Sequence, residues 1–307
     1  AIEVAAAVGR GLEAAGVPAE LCPVADGGEG TLEVLAPALE AELQAVTVSD
    51  PLGRHVEARF GLRGGTAIVE AAEASGLHLV APSERDPFGA STYGVGELVS
   101  AAVSAGARTV LLGVGGSATT DGGAGAIRAL RAQGGLRGAR LSVLCDVRTP
   151  FEEAARIFGP QKGADADEVR RLTARLHALA QRLERDPRGV PMTGAAGGLA
   201  GGLWGAFGAE LHPGASFVLD ALGFEERMRA SRAVVTGEGR LDRQSLAGKA
   251  LAEVATRARQ AGVPCHAVVG SRRLDRFETR ILDLQAVLEA STLREIERAG
   301  RRLPQII

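Results

Sequence analysis

The run from Thr109 to Gly125, TVLLGVGGSATTDGGAG, constrains the fold more than any other stretch of this chain. It opens as a β-branched, leucine-rich segment of the kind that forms a buried strand, and then turns to glycine six times. Glycines just past a strand let the backbone take positive φ and approach a ligand closely, so that successive N–H groups converge on an anion. Between them stand Ser117, Thr119 and Thr120, whose hydroxyls suit polar ligand contacts, and Asp121, a carboxylate suited to a metal ion. Asp121 also stands at the mouth of the next helix, where it can cap free N–H groups. At this level two readings stay open, a ligand loop or a tight turn with a capped helix, because short glycine motifs are weak on their own.

Two further stretches repeat the pattern. Ala25-Asp26-Gly27-Gly28-Glu29-Gly30 is expected between a strand at Glu20–Val24 and a helix at Thr31–Glu42. Two carboxylates flanking paired glycines fit a substrate or Mg²⁺ role, or a turn capped by Asp26. Gly237-Glu238-Gly239-Arg240-Leu241-Asp242 is expected as a loop after a strand at Ala233–Thr236. The lysines are equally telling. Of 35 basic residues only Lys162 and Lys249 are lysine, and asparagine is absent, as a GC-rich coding bias would produce. Bias does not explain where the two lie: Lys162 within Gly159-Pro160-Gln161-Lys162-Gly163, Lys249 after Gly248 at the start of a helix. A compact ammonium in an open backbone is a good partner for phosphate oxygens, and arginine does not replace it.

Read in order, the chain alternates strands and helices. Val4, Val8 and Leu12 share one face of a helix over residues 1–15, which begins without a cap, so a strand is expected upstream of residue 1. Strands are predicted at 43–48, 56–62, 66–70, 141–145, 266–269 and 286–288, and helices at 95–105, 124–133, 249–261, 274–283 and 292–301. The charged helix at Asp165–Glu184 reads as a solvated face. The small-residue run TGAAGGLAGGLWGAFG at 193–208 reads as a site of close helix packing. The alternation predicts an α/β protein of two domains: a flavodoxin-like, doubly wound parallel sheet from residues 1–46 and 228–307, interrupted by an inserted mixed α/β domain at 47–227. The polar loops are expected to meet in a cleft between them.

Composition removes several function classes. Over 307 residues the net charge is −2, which gives no reason to expect nucleic acid or an anionic membrane surface as partner. No apolar run reaches membrane-spanning length. Three widely spaced cysteines, Cys22, Cys145 and Cys265, argue against a disulfide framework and for a cytoplasmic protein. The five histidines, His78 among them, show no metal-ligand spacing and read as structural or surface residues. Nothing in the pattern excludes a homodimer.

Taken together, VADGGEGT, GVGGSATTDGGAG, CDV followed by FGPQKGA, GAAGG and VVTGEGRLD with the later GK resemble, in this order, the bacterial type I glycerate kinase family. The resemblance covers residues 1 to about 270 and implies Mg²⁺- and ATP-dependent phosphorylation of D-glycerate, usually to 2-phosphoglycerate. The chain departs from the family in having no counterpart of its opening strand and PDSFKGS-like loop, in a short GGLRGAR connection before Leu141, and in a tail that matches weakly after Ser271. On this resemblance Asp26, Lys162, Asp121, Glu238 and Asp242 form the catalytic pool, with no single carboxylate assigned to metal. Gly27, Gly28, Glu29, Gln161 and Arg240 are expected at the substrate, Arg240 with its planar fork on the carboxylate. Gly115, Gly116, Ser117, Thr119, Thr120 and Lys249 are expected at the nucleotide phosphates. The alternatives are a nicotinamide-dependent hydroxy-acid dehydrogenase, since Gly113-x-Gly115-x-x-Ala118 follows a strand, and a non-catalytic hydroxy-acid sensor.

Overall fold

A computed structural model of the chain describes residues 1–243, 245–247 and 249–306; Gly248 of the Gly248-Lys249 pair lies outside them. The polypeptide divides into two compact units, one of residues 26–214 and one of residues 1–25 with those from 215 onward. After helix α1 (Ile2–Ala14), the larger unit contains α2 (Thr31–Ala38), β1 (Glu42–Ser49), β2 (His55–Arg63), β3 (Thr66–Glu70), α3 (Ala72–Ser75), α4 (Tyr93–Ser104), β4 (Thr109–Gly113), α5 (Ala124–Ala132), β5 (Arg140–Cys145), α6 (Ala154–Phe158), α7 (Ala166–Ala180), α8 (Leu199–Phe207) and β6 (Glu210–Pro213). The smaller unit continues with α9 (Gly214–Ala221), α10 (Phe224–Arg229), β7 (Val234–Leu241), α11 (Ala250–Ala261), β8 (Cys265–Arg272), α12 (Arg276–Ile281), β9 (Leu284–Glu289) and α13 (Leu293–Arg302).

The larger unit is a six-stranded sheet in the order β1-β2-β3-β4-β5-β6. β1, β2 and β3 pair antiparallel and β3 to β6 pair parallel, so the sheet is mixed, as alternation and turn residues indicate. Asp50 closes the β1–β2 turn by accepting from the N–H groups of Leu52 and Arg54, both at 2.8 Å. The main core joins Val69, Val110, Leu112 and Val143 of the sheet to Leu98 of α4, Leu130 of α5 and Leu203 of α8. α2 packs on β2 and β3, which is why the division falls at 25/26 rather than at the expected 46/47. At the other end it falls at 214/215 rather than 227/228. The glycine run at 193–208 serves close packing: a Cβ on Gly202 would lie 2.1 Å from the carbonyl oxygen of Gly122.

In the smaller unit β7, β8 and β9 form a three-stranded parallel sheet with helices on both faces. Cys265, Ala267 and Val269 of β8 pack with α11, whereas Val268 packs with α1 and α13, the period-two alternation of a strand covered on both sides. Two expectations differ from the structure. Glu20–Val24 is not a strand; among the described residues it has no strand partner and is held by Arg227, which donates to the Glu20 carboxylate at 2.6 Å and to the Leu21 carbonyl at 2.7 Å. Gly237-Glu238-Gly239-Arg240 is not a loop but the second half of β7, with Glu238 opposite Val269 and Arg240 opposite Ser271.

His266 of β8 is 3% exposed, and among the described residues neither ring nitrogen has a hydrogen-bond partner. Desolvation lowers its pKa. The unfolded chain therefore takes up a proton near pH 6.5 that the folded chain refuses, so stability falls as the pH drops below that value. His266→Leu is expected to raise the melting temperature at pH 5.5 and to flatten its decline below pH 6.5, removing an orphan polar group worth about 1–3 kcal/mol. Thermal melts at pH 5.5 and 7.5 check this, and an equal acid-side decline in both proteins would contradict it.

Candidate functional site

In the larger unit one short segment runs across the carboxyl edge of the sheet. Residues 26–30 pass the ends of β6, β5, β4 and β3 in turn, and each step depends on a missing side chain. A Cβ on Gly214, just past β6, would lie 2.2 Å from the carbonyl oxygen of Asp26, and one on Gly27 would lie 2.4 Å from the Leu144 carbonyl of β5. Gly28 passes over the end of β4, where a Cβ on Gly115 would meet its Cα at 2.4 Å. The Gly115 N–H donates to the Gly27 carbonyl at 2.9 Å. Gly27 also holds φ at +87°, which any Cβ would oppose. At β3 the buried Glu70 carboxylate accepts from the Gly30 N–H at 3.1 and 3.2 Å and from the Leu32 N–H at 3.1 Å. The two glycine loops singled out in the sequence thus lie against each other, at the strand ends where ligands of open α/β sheets bind.

Each loop leads into a helix whose first N–H groups are held by one buried carboxylate. Glu70 does this for α2. Asp121 does it for α5: it accepts from the N–H groups of Gly123 at 2.9 Å and Gly125 at 3.0 Å, and from Thr92 N–H and Oγ1 at 2.9 Å. Burial pushes the Glu70 carboxyl up to about 7 despite the N–H groups it accepts from. Both Asp121 oxygens are engaged, by Thr92 ahead of α4 and by the Gly123 and Gly125 N–H groups at the start of α5.

The rest of the 113–123 loop is wired inward as well. Ser117 Oγ pairs with Thr119 Oγ1 at 2.8 Å and accepts from the Thr119 N–H at 3.1 Å, and the Ala118 N–H donates to Ser75 O at 2.8 Å. Thr119 and Thr120 are fully buried. Among the described residues the N–H groups of Gly116 and Ser117 find no acceptor, and Gly116 is exposed. Glu29 lies over Gly116 and meets His78 Nδ1 at 3.2 Å, so the structure brings to this rim a histidine that its sequence spacing set aside.

Lys162 is 4% exposed, in a short 3₁₀ turn, and its ammonium donates to the Thr119 carbonyl at 2.5 Å. Desolvation lowers its pKa to about 7, partly offset by Asp121. Arg175 of α7 donates to the next carbonyl, Thr120 O, at 2.8 Å and to Phe88 O at 2.6 Å. Two cations thus hold two successive carbonyls. In a trans peptide the following N–H points the opposite way, so these anchors fix the loop's orientation.

The other expected site residues divide between the units. Gln161 neighbours Lys162 in the larger unit. Glu238, Arg240, Asp242 and Lys249 belong to the smaller one, Arg240 exposed on β7 and Lys249 at the N-cap of α11. Among the described residues no group of three or more His, Cys, Asp or Glu side chains gathers in a metal-binding arrangement.

A family model described as the glycerate kinase family matches residues 1–135 and 131–300. The chain belongs to the glycerate kinase family. Within it, a glycerate kinase of Halalkalibacterium halodurans is 40% identical over 288 residues, covering 82% of this chain and 76% of that protein. The glycerate 2-kinase of Escherichia coli K12 is 38% identical over 310 residues, covering 88% and 81%. A crystal structure from Salmonella typhimurium LT2, provisionally assigned as glycerate kinase 2, superposes with a TM-score of 0.81 at 33% identity, over 99% of this chain and 93% of that one. Membership makes the chain a kinase. The dehydrogenase alternative also fails on geometry: α5 begins at Ala124, well past Gly113 and Gly115, and its first N–H groups are taken by Asp121 rather than open to a pyrophosphate. No helix among the described residues is long and apolar enough to cross a membrane.

Proposed function

We propose that the protein transfers the γ-phosphoryl group of ATP to D-glycerate, giving 2-phosphoglycerate. The observation that carries this reading is the laying of Asp26–Gly28 on the Gly113–Gly116 loop at the sheet's carboxyl edge, within a chain of the glycerate kinase family. The E. coli relative, a glycerate 2-kinase, supports the 2-position. Phosphoryl transfer needs placement and charge neutralisation more than covalent chemistry by the protein. Gly116 and Ser117 offer backbone N–H groups to phosphate oxygens. Lys162, being buried, acts through the Thr119 carbonyl it holds. Asp26 is half-buried, and its Oδ1 accepts from the Gly28 N–H at 3.1 Å, which leaves a carboxylate at the loop's entrance to receive the acceptor hydroxyl's proton.

The donor set fits Mg²⁺ carried on the nucleotide's phosphates, with Asp26 as its protein ligand, since that ion keeps most of its waters and needs few carboxylates. When bound, the cation supplies charge neutralisation at the phosphates. Arg240 is assigned to the glycerate carboxylate for its bidentate fork. Arg240→Lys is expected to raise KM for glycerate about tenfold or more with kcat little changed, as loss of one strong charge-assisted hydrogen bond implies. Steady-state kinetics measure this, and an unchanged KM removes Arg240 from the carboxylate. Three free thiols, Cys22, Cys145 and Cys265, support a cytoplasmic setting.

A further inference from the structure

We propose that Glu70 is the positioning residue of the Asp26–Gly28 loop, acting on phosphoryl transfer through the backbone N–H groups of Gly30 and Leu32. The inference rests on the kinase reading above. Glu70 is the last residue of β3, opposite Gly113 in the register, so the strand that carries it adjoins the one that leads into the other glycine loop. The Ala71 N–H ties it further by donating to the Gly113 carbonyl at 2.8 Å. From there the carboxylate spans the first turn of α2, taking Gly30 N–H on both oxygens and Leu32 N–H on one. The segment from Asp26 to Gly30 has backbone contacts at β6, β5 and β4, and Glu70 supplies its anchor at the fourth strand. Without that anchor the Gly28–Gly30 end of the segment loses its hold on β3, and the Gly28 N–H that fixes the Asp26 carboxylate loosens with it.

The anchor needs the ionised form. A carboxylate accepts at both oxygens, whereas a protonated carboxyl presents one O–H to a backbone N–H and loses an acceptor. The charged groups facing Glu70 are Glu33 on α2 and Glu73 on α3, both paired to Arg59 of β2, at 3.4 and 2.7 Å. β4 brings no titratable group to the contact. Burial, with the two neighbouring carboxylates, holds Glu70 at about 7, so its charge changes in the neutral range. Loop order therefore rises with pH through that range, while the stability contributed by this group runs the other way, present below the unfolded carboxyl value and lost above about 7.

The test compares the parent protein with Glu70→Gln and Glu70→Asp by two readouts. In glycerate-dependent ADP formation between pH 5.5 and 9, the parent's kcat is expected to rise through an acid limb near 7. Glu70→Gln should lose that limb and about tenfold to a hundredfold in kcat, as a small misplacement of a reacting group costs. Glu70→Asp keeps the charge at shorter reach, so it should keep the limb at reduced kcat. The second readout is amide-exchange protection at Gly30 and Leu32, which needs no turnover and so separates this inference from the kinase reading. Protection that grows with pH in the parent and is flat in Glu70→Gln supports the assignment. Parent-like kcat with the same acid limb in Glu70→Gln, or protection independent of residue 70, overturns it.

Discussion

Replacing Asp26 by asparagine is expected to lower kcat by about a hundredfold to ten-thousandfold, the range that a positioned acid–base group contributes. The change is nearly isosteric. The side-chain oxygen that takes the Gly28 N–H at 3.1 Å remains, and so do the glycine contacts that lay the segment over the sheet. Only the charge is lost, and with it the acceptor for the hydroxyl proton and the ligand for a phosphate-bound cation. KM for glycerate should change little, and the melting temperature should stay within a degree or two because Asp26 is only half-buried. Steady-state kinetics beside a thermal melt separate the chemistry from the fold. A kcat within a few-fold of the parent at an unchanged melting temperature would take Asp26 out of the reaction.

Lys162→Met is expected to cost well over tenfold in turnover, for a different reason. Its ammonium is buried and spends a hydrogen bond on the Thr119 carbonyl, so the loss reaches the substrate through a misplaced loop rather than a missing phosphate contact. Stability should move far less than activity, because two effects oppose. The variant leaves a buried carbonyl unsatisfied, worth about 1–3 kcal/mol, and it also removes a desolvated charge. With the folded pKa lowered to about 7, the unfolded chain holds the proton more tightly, so the buried lysine destabilises the protein below pH 7 and ceases to do so as the pH rises toward its ordinary value of 10.5. The melting difference between variant and parent should therefore shift in the parent's favour on going from pH 7 to pH 9. A variant that melts normally and turns over normally would show that Thr119 needs no such anchor.

These two residues stood out in the sequence because their neighbours open the backbone, yet the sequence left their roles undivided. Alternation and turn residues make β1 and β2 legible, whereas β3 to β5, buried on both faces, are legible as short continuous apolar runs. β6 is not: Glu210–Pro213 is four residues long and ends in proline. In β7, Gly237 and Gly239 signal a turn, and only the pairing with β8 shows that they extend the strand. Glu70 ends an apolar strand, where nothing local shows that its carboxylate meets the N-cap and first turn of α2, 40 and 38 residues away in the chain. Arg175 is one of many charges on a helix whose pattern is that of a solvated face, and nothing local marks that it reaches Thr120, 55 residues away. Thr119 and Thr120 carry ligand-like hydroxyls and are fully buried. Residue type and spacing thus located the loops, while the side chains that hold them came from contacts distant in sequence.

The most direct test of the central claim is ADP release from Mg-ATP by the purified protein, with and without D-glycerate, followed by identification of the phosphorylated carbon. Glycerate-dependent ADP with phosphate on the 2-hydroxyl is the predicted result. No glycerate-dependent release from a folded sample would contradict the claim.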